Sequence, residues 1–378
     1  MARAYDAIVI GLGAMGSAAL RALSRRGWRV LGLDRFAPPH DRGSSHGASR
    51  IIREAYFEDP SYVPLVRRAY LLWEELERES GRKLLLPTGG LMIGPPDGVL
   101  VAGALRSARE HQLAHESLDA SAMRKRFPIF HAGDEVVGVW EPRAGVLSPE
   151  ASIEAFLETA RRHGAEVRVN EPALSWSAGE TGVRVTTGQG RYAAGRLVLS
   201  AGAWMPGFLQ DLALPLAVER VVQLWFDPAA GTDGDAFAPE RCPVWIWEHE
   251  RDRFLYGFPI SERGIKLARH HEGELADPDR VRRDVSDAEV AEVRTLIARC
   301  VPDAGGALRG AAVCLYTNTP DSHFVVDQHL RHPAVLIVSA CSGHGFKFAP
   351  VIGEIVSDWA VDGVKRFDLE RFRMGRWG

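Results

Sequence analysis

The sequence predicts an α/β fold: a Rossmann-like nucleotide-binding domain built from discontinuous segments, with a mainly antiparallel second domain inserted into it. Three observations predict it. A βαβ unit with a glycine-rich turn opens the chain. Strand-turn-helix patterns return around residues 196–204 and 335–360. Between them, from about residue 220 to 310, the pattern changes to strands rich in Trp, Phe and Tyr.

The opening unit is the most informative. Ala7-Ile8-Val9-Ile10 is a continuous apolar run, as in a parallel strand covered on both faces. Gly11-Leu12-Gly13-Ala14-Met15-Gly16 follows directly. Residues 17–26 are good helix formers stopped by Gly27, and residues 28–33 read as a second strand ending on Asp34. Gly11 permits the tight turn, Gly13 lets the backbone approach a pyrophosphate, and Gly16 lets the helix pack on the strand. The helix N-terminus offers free N–H groups and a positive dipole end to phosphates. Asp34 can accept hydrogen bonds from ribose hydroxyls. The turn alone serves NAD and FAD equally well.

The remaining elements follow in order. Residues 61–79 have a helical pattern ended by Gly81, and residues 84–145 read as short strands and turns. Ser148 as N-cap and Pro149 at the first helical position open a helix to Arg162, ended by Gly164. Strands are predicted at 166–170 and 183–187, and a buried strand from Arg196 runs into a small-residue turn at Ala201-Gly202-Ala203-Trp204. The aromatic strands lie at 221–226, 244–247 and 254–258. Val335-Leu336-Ile337-Val338 leads into Ser342-Gly343-His344-Gly345 and a helix through Ala360. The domain division expected is 1–84, 147–216 and 322–378 for the nucleotide domain, with 85–146 and 217–321 forming the substrate domain.

Composition narrows the function. The 378 residues are 46% hydrophobic and 25% charged, enough for about two globular domains. Lys plus Arg number 46 against 49 Asp plus Glu, a net charge of −3, which argues against nucleic acid or an anionic membrane as main partner. Cys242, Cys300, Cys314 and Cys341 show no CxxC spacing, so neither a disulfide framework nor a metal site is expected. So few cysteines favour a reducing, cytoplasmic setting. No apolar run reaches the roughly 20 residues of a membrane span, and the first residues lack a basic leader region.

Four further stretches carry a family resemblance. They are Gly43-Ser44-Ser45-His46-Gly47-Ala48-Ser49-Arg50-Ile51-Ile52-Arg53, Tyr256-Gly257-Phe258-Pro259 with Gly264-Ile265-Lys266-Leu267, Cys314-Leu315-Tyr316-Thr317-Asn318-Thr319-Pro320-Asp321, and Ser342-Gly343-His344-Gly345-Phe346-Lys347-Phe348. In order and spacing they resemble the monomeric sarcosine oxidase family, which includes N-methyltryptophan oxidase and pipecolate oxidase. The resemblance spans essentially the whole chain.

It implies FAD as cofactor, held covalently through its 8α-methyl group by Cys314. It implies that Gly11, Gly13, Gly16, Asp34, Arg35, Val169, Ala201, Gly202 and Trp204 hold the nucleotide. His46, Ser49 and Arg50 would surround the flavin ring, with Gly343, His344, Gly345, Phe346 and Lys347 at its pyrimidine edge. Arg53 and Lys347 match a carboxylate-binding pair, joined by Tyr256 and Tyr316 on the substrate side. Lys266 matches a lysine that promotes reaction with oxygen. His270 matches an active-site histidine, although a one-residue slip would place His271 there. The implied activity is oxidation of a secondary (N-methyl) amino acid such as sarcosine, by a monomer using O2. Formaldehyde, a primary amino acid and H2O2 would be the products. A pipecolate- or proline-type cyclic imino acid oxidase, an N-methyltryptophan oxidase, and a flavin-binding subunit of a larger oxidase are the alternatives. Two departures bear on tuning and specificity. Ser45 and Ala48 stand where the family usually has His and Asp, and Glu54-Ala55-Tyr56-Phe57-Glu58-Asp59 stands where the family usually has His-Ala-Tyr-Gly-Glu-Gly.

Overall fold

The computed structural model describes residues 4–377. Its first sheet has eight strands. Ala4–Ile10 lies at its centre, parallel to Val30–Leu33 on one side and to Arg191–Leu199 on the other. Ile10 is in register with both Leu33 and Leu199, so three strand ends point the same way. Val335–Ser339 adds in parallel beyond Arg191–Leu199, and Glu166–Arg168 adds beyond Val30–Leu33. Burial on both faces explains the unbroken apolar run: Ala7, Ile8 and Val9 are wholly inaccessible.

The helix after the glycine turn begins at Ala14, earlier than the sequence suggested, and ends at Arg25. Gly16 therefore sits in its first turn. A Cβ on Gly16 would lie 1.7 Å from the Gly11 carbonyl oxygen, so this residue type is what lets the helix close onto the turn. The helix packs against Ala349–Asp362, where a Cβ on Gly353 would lie 2.6 Å from the Ala18 carbonyl oxygen. Pro149–Arg162 forms with the predicted bounds. Ser148 is extended at its N-cap, but its hydroxyl makes no capping bond.

The second sheet has nine strands and is mainly antiparallel. Three of them matter most. Leu308–Asn318 pairs along Ala217–Phe226 and places Cys314 opposite Val221. Gly264–His270 carries Lys266 and His270, and Arg253–Ser261, paired with it, carries Tyr256. A small third sheet joins Arg50–Ile52, Gly145–Leu147 and Leu85–Pro87.

Two regions differ from the sequence reading. Residues 84–145 hold the helices Val99–Glu110 and Ala120–Arg126 as well as strands. The first lacks a side-chain cap and starts after Gly98, which hid its start. The second is capped by Asp119, whose carboxylate accepts from the Ala122 N–H at 2.7 Å. The aromatic-strand region is followed by the helix Asp287–Cys300, opened by a capping box between Ser286 and Glu289. No helix among the described residues is long and apolar enough to cross a membrane.

Candidate active site

A cavity of about 550 Å³ runs from the first sheet's strand ends to the face of the second sheet. At one end lie Gly11, Gly13 and Asp34. Gly11 has a φ of +86°, and a Cβ there would lie 2.5 Å from the Ser200 carbonyl oxygen. The Asp34 carboxylate accepts from the N–H of Leu12 at 2.7 Å and of Phe36 at 2.8 Å. It thereby ties the glycine turn to the end of the second strand. Burial raises its pKa, and those hydrogen bonds oppose the rise. At the rim, Asp279 accepts at 2.8 Å from both the Arg35 guanidinium and the Trp204 indole, and Arg35 lies over the Trp204 ring.

The middle of the cavity is formed by Ser49 and Arg50 facing Ala201, Gly202 and the 339–347 segment. Arg50 donates to the carbonyls of Ser49 and Ser44 at 2.7 Å, and its Nη2 lies 3.6 Å from the Cys314 sulfur. Burial raises the Cys314 thiol pKa, while Arg50 and Lys266 pull it back down. Gly343, at a φ of +74°, leaves room for His270 and Tyr316. A Cβ there would lie 2.6 Å from the His270 ring.

The far end gathers buried charge. Arg53 donates to both oxygens of Glu58, at 2.9 and 2.7 Å, and to the Ala55 carbonyl at 3.0 Å. Its guanidinium lies 4.4 Å from the Tyr56 ring centre and 4.6 Å from that of Phe57. Lys347 donates to the His344 carbonyl at 2.6 Å. Burial, then the nearby Arg53 charge, push Lys347 down to about 7. Burial alone would raise Glu58, but Arg53, His344 and Lys347 hold it below the usual carboxylate range. His344 donates from Nε2 to the Ser322 carbonyl at 2.9 Å, which leaves Nδ1 to accept from the Tyr56 hydroxyl. Tyr256, Phe258, Ile51 and Ile246 form the apolar wall opposite.

Most residues singled out by sequence meet at this cavity. Gly16, His46, Val169, Lys266 and Cys314 are not among its walls. Gly16 packs the helix, and Val169 sits behind Asp34, between residues whose backbones bond Asp34 and Phe36. Cys314 and Lys266 lie one layer behind Ser44, Ser49 and Arg50. Of the adjacent histidines, His270 lines the cavity and contacts the Tyr316 hydroxyl at 3.4 Å, whereas His271 pairs with Glu219 at 2.9 Å. Arg53 is ion-paired with Glu58, but the pair is buried rather than a surface pair. Sequence reasoning missed Tyr56, Glu141 and Glu150. Glu141 accepts from the N–H groups of Glu54 and Ala55 at 2.6 and 2.8 Å, and burial pushes it up to about 7. No local motif marks these carboxylates, because each caps a turn distant in sequence.

The profile of the FAD dependent oxidoreductase family matches residues 6–359. The chain belongs to that family. FAD is therefore its cofactor, and the chain is a flavin-dependent oxidoreductase. Among curated relatives of this FAD-dependent oxidoreductase is the monomeric sarcosine oxidase of Streptomyces avermitilis, 48% identical over 98% of this chain and 97% of the relative. The N-methyl-L-tryptophan oxidase of Salmonella arizonae is 38% identical over 99% of each chain. Among solved structures, the open form of the amino acid oxidase NikD superposes with a TM-score of 0.85 at 23% identity, covering 98% of this chain and 97% of NikD. L-proline dehydrogenase from P. horikoshii also gives 0.85, at 19% identity and covering 100% and 98%. At such identities the structures show the shared fold.

The cavity fits FAD in two respects. The glycine turn is a cradle that side chains would fill, and the N-cap Gly13 places no side chain of its own over the helix N-terminus that would face phosphates. Among the described residues, one group of possible metal ligands lies elsewhere: Asp211, His329 and His332. It is already served by protein partners, since Arg331 pairs with Asp211 and its N–H donates to His329 Nδ1 at 3.2 Å.

Proposed function

We propose that the chain is an oxidase of secondary amino acids, N-methyl amino acids such as sarcosine above all. It uses covalently held FAD and O2 and acts as a cytoplasmic monomer. Residues 1–84, 147–216 and 322–378 form the FAD-binding domain of this reading, and 85–146 with 217–321 form the substrate domain. The observation that carries it is charge balance at the far end of the cavity. Arg53 and Lys347 are two buried cations facing one largely buried carboxylate, Glu58. A substrate carboxylate completes the balance, and no other anion lies among the cavity's walls there.

FAD, when bound, would supply the redox chemistry: a hydride acceptor for the substrate's N-methyl carbon and a route for two electrons to O2. The chain's residues do the rest. Gly11, Gly13, Asp34, Arg35, Ala201, Gly202 and Trp204 hold the nucleotide, and Ser49, Arg50 and the 343–347 segment hold the ring, with His46 behind the cavity wall. Val169 supports this end from behind Asp34. Arg53 and Lys347 fix the carboxylate. Tyr256, Tyr316 and His270 bound the amine, and burial holds His270 well below its ordinary pKa, so it stays a neutral acceptor. Water then hydrolyses the imine to formaldehyde and the primary amino acid. Lys266 places a cation on the opposite side, where oxygen gains negative charge.

The test is peroxide formation across sarcosine, N-methyltryptophan, pipecolate and proline. Sarcosine should give the largest kcat/KM. Peroxide only from the cyclic amines would displace this reading.

The Lys347 ammonium also sets a pH dependence. A cation anchors an anionic substrate only while protonated, and this one is held down to about 7. Substrate affinity should therefore fall as pH rises through that region. The anion itself raises the pKa of Lys347, so the complex loses its proton at higher pH than the free enzyme. Titrating affinity for a non-reactive carboxylate such as acetate by flavin difference spectra checks this. Lys347→Met should flatten the profile.

A further inference from the structure

We propose that Glu150 is a positioning residue for Lys266, acting through the turn at residues 47–49. The inference rests on the reading of Lys266 as the oxygen-side cation.

Lys266 is buried, only 2% exposed. Its Nζ donates to the Gly47 carbonyl at 2.8 Å and to the Ser49 carbonyl at 3.0 Å. On its other side the same turn meets Glu150. One carboxylate oxygen, Oε1, accepts from the N–H of Gly47 at 2.7 Å and of Ala48 at 3.1 Å. The Gly47 carbonyl and the Ala48 N–H belong to a single peptide unit. That unit is therefore held at both ends, by a cation at its oxygen and an anion at its nitrogen. Each contact polarises the other.

The turn needs such a clamp. Gly47 has a φ of +97° and Ala48 a φ of +66°. Alanine in the left-handed region is strained, and nothing in its methyl side chain can offset that locally. Glu150 sits at the start of the Pro149–Arg162 helix, on a rigid element of the nucleotide-binding side. Lys266 comes from the second sheet. The carboxylate thus fixes where a side chain from one sheet meets a turn leading into another.

The groups facing Lys266 are Arg50, Arg263, His46, Cys314 and Glu150, with the Trp225 and Phe258 rings at 5.6 and 5.1 Å. Within that set Glu150 is the carboxylate. Burial above all, then Arg50 and Arg263, hold the Lys266 ammonium well below the ordinary lysine pKa, so losing the Glu150 anion should make it give up its proton more easily still.

The experiment separates the two half-reactions of the holoenzyme by rapid mixing. Flavin reduction is followed anaerobically with sarcosine, and reoxidation is followed by mixing reduced enzyme with O2. Glu150→Ala should slow reoxidation by about tenfold or more while reduction stays within about threefold. Glu150→Gln retains an oxygen that can accept both N–H groups but carries no charge. Its reoxidation should fail at a lower pH than in the parent. If Glu150→Ala does not fold, the pH limb of Glu150→Gln decides alone. Lys266→Met is the control. Slow reoxidation in Lys266→Met with unchanged reoxidation in Glu150→Ala overturns the inference alone. Equal slowing of both half-reactions by Glu150→Ala also overturns it. Unchanged reoxidation in Lys266→Met overturns the reading of Lys266 and this inference with it.

Discussion

Arg53→Ala should raise the KM for a carboxylate-bearing amine by about 10²–10³-fold, with kcat lowered less and the flavin spectrum unchanged. The magnitude has two sources. The variant loses a charge-assisted, bidentate partner for the substrate, and each 1.4 kcal/mol is tenfold in affinity, so about 3–4 kcal/mol suffices. It also leaves Glu58 buried without its guanidinium, to which it now bonds through both oxygens. An unpaired buried carboxylate is costly and would repel the incoming anion. Arg53→Ala paired with Glu58→Gln should therefore recover part of the loss. Steady-state kinetics on both variants decide it. A KM within threefold of the parent in Arg53→Ala would remove the carboxylate anchor.

The second large effect concerns the cofactor linkage. Acid denaturation of the parent should leave yellow colour with the polypeptide, and in Cys314→Ala all of that colour should pass to the supernatant. The linkage would join the Cys314 sulfur to the 8α carbon with loss of the thiol proton and of one methyl C–H proton, and the two electrons released would pass to O2. Burial opposes that deprotonation, while the Arg50 nitrogen 3.6 Å away favours it. Slower covalent incorporation in Arg50→Met than in the parent would follow from the same charge. A colourless pellet from the parent would end the claim of a covalent bond.

The parts legible from sequence were those whose physics is local. The glycine turn, the apolar strand Ala4–Ile10 and the helix Pro149–Arg162 carry their reasons within a few neighbouring residues. The helix Val99–Glu110 did not, because its start has no side-chain cap and its sequence begins with small and β-branched residues. For the site, motifs gave the residue types but not their layering. Lys266 sits behind the cavity wall because its partners are backbone carbonyls 219 and 217 residues away. Glu150 and Glu141 were invisible for the same reason, since each caps amides 103 and 87 residues distant. Ser45 and Ala48 stand out in the sequence only as departures from the family pattern, and the left-handed backbone at Ala48 shows what the second must cope with.

One feature of the first sheet bears on how the enzyme comes into being. Val335–Ser339 docks beside Arg191–Leu199 and leads directly into the segment carrying His344 and Lys347. A ribosome therefore releases this last wall of the cavity long after the glycine turn has been made. Until then the turn can offer its amides to a nucleotide, but nothing closes the flavin end. Closure of the flavin end, and with it any attachment to Cys314, in this topology waits for a segment made long after the glycine turn.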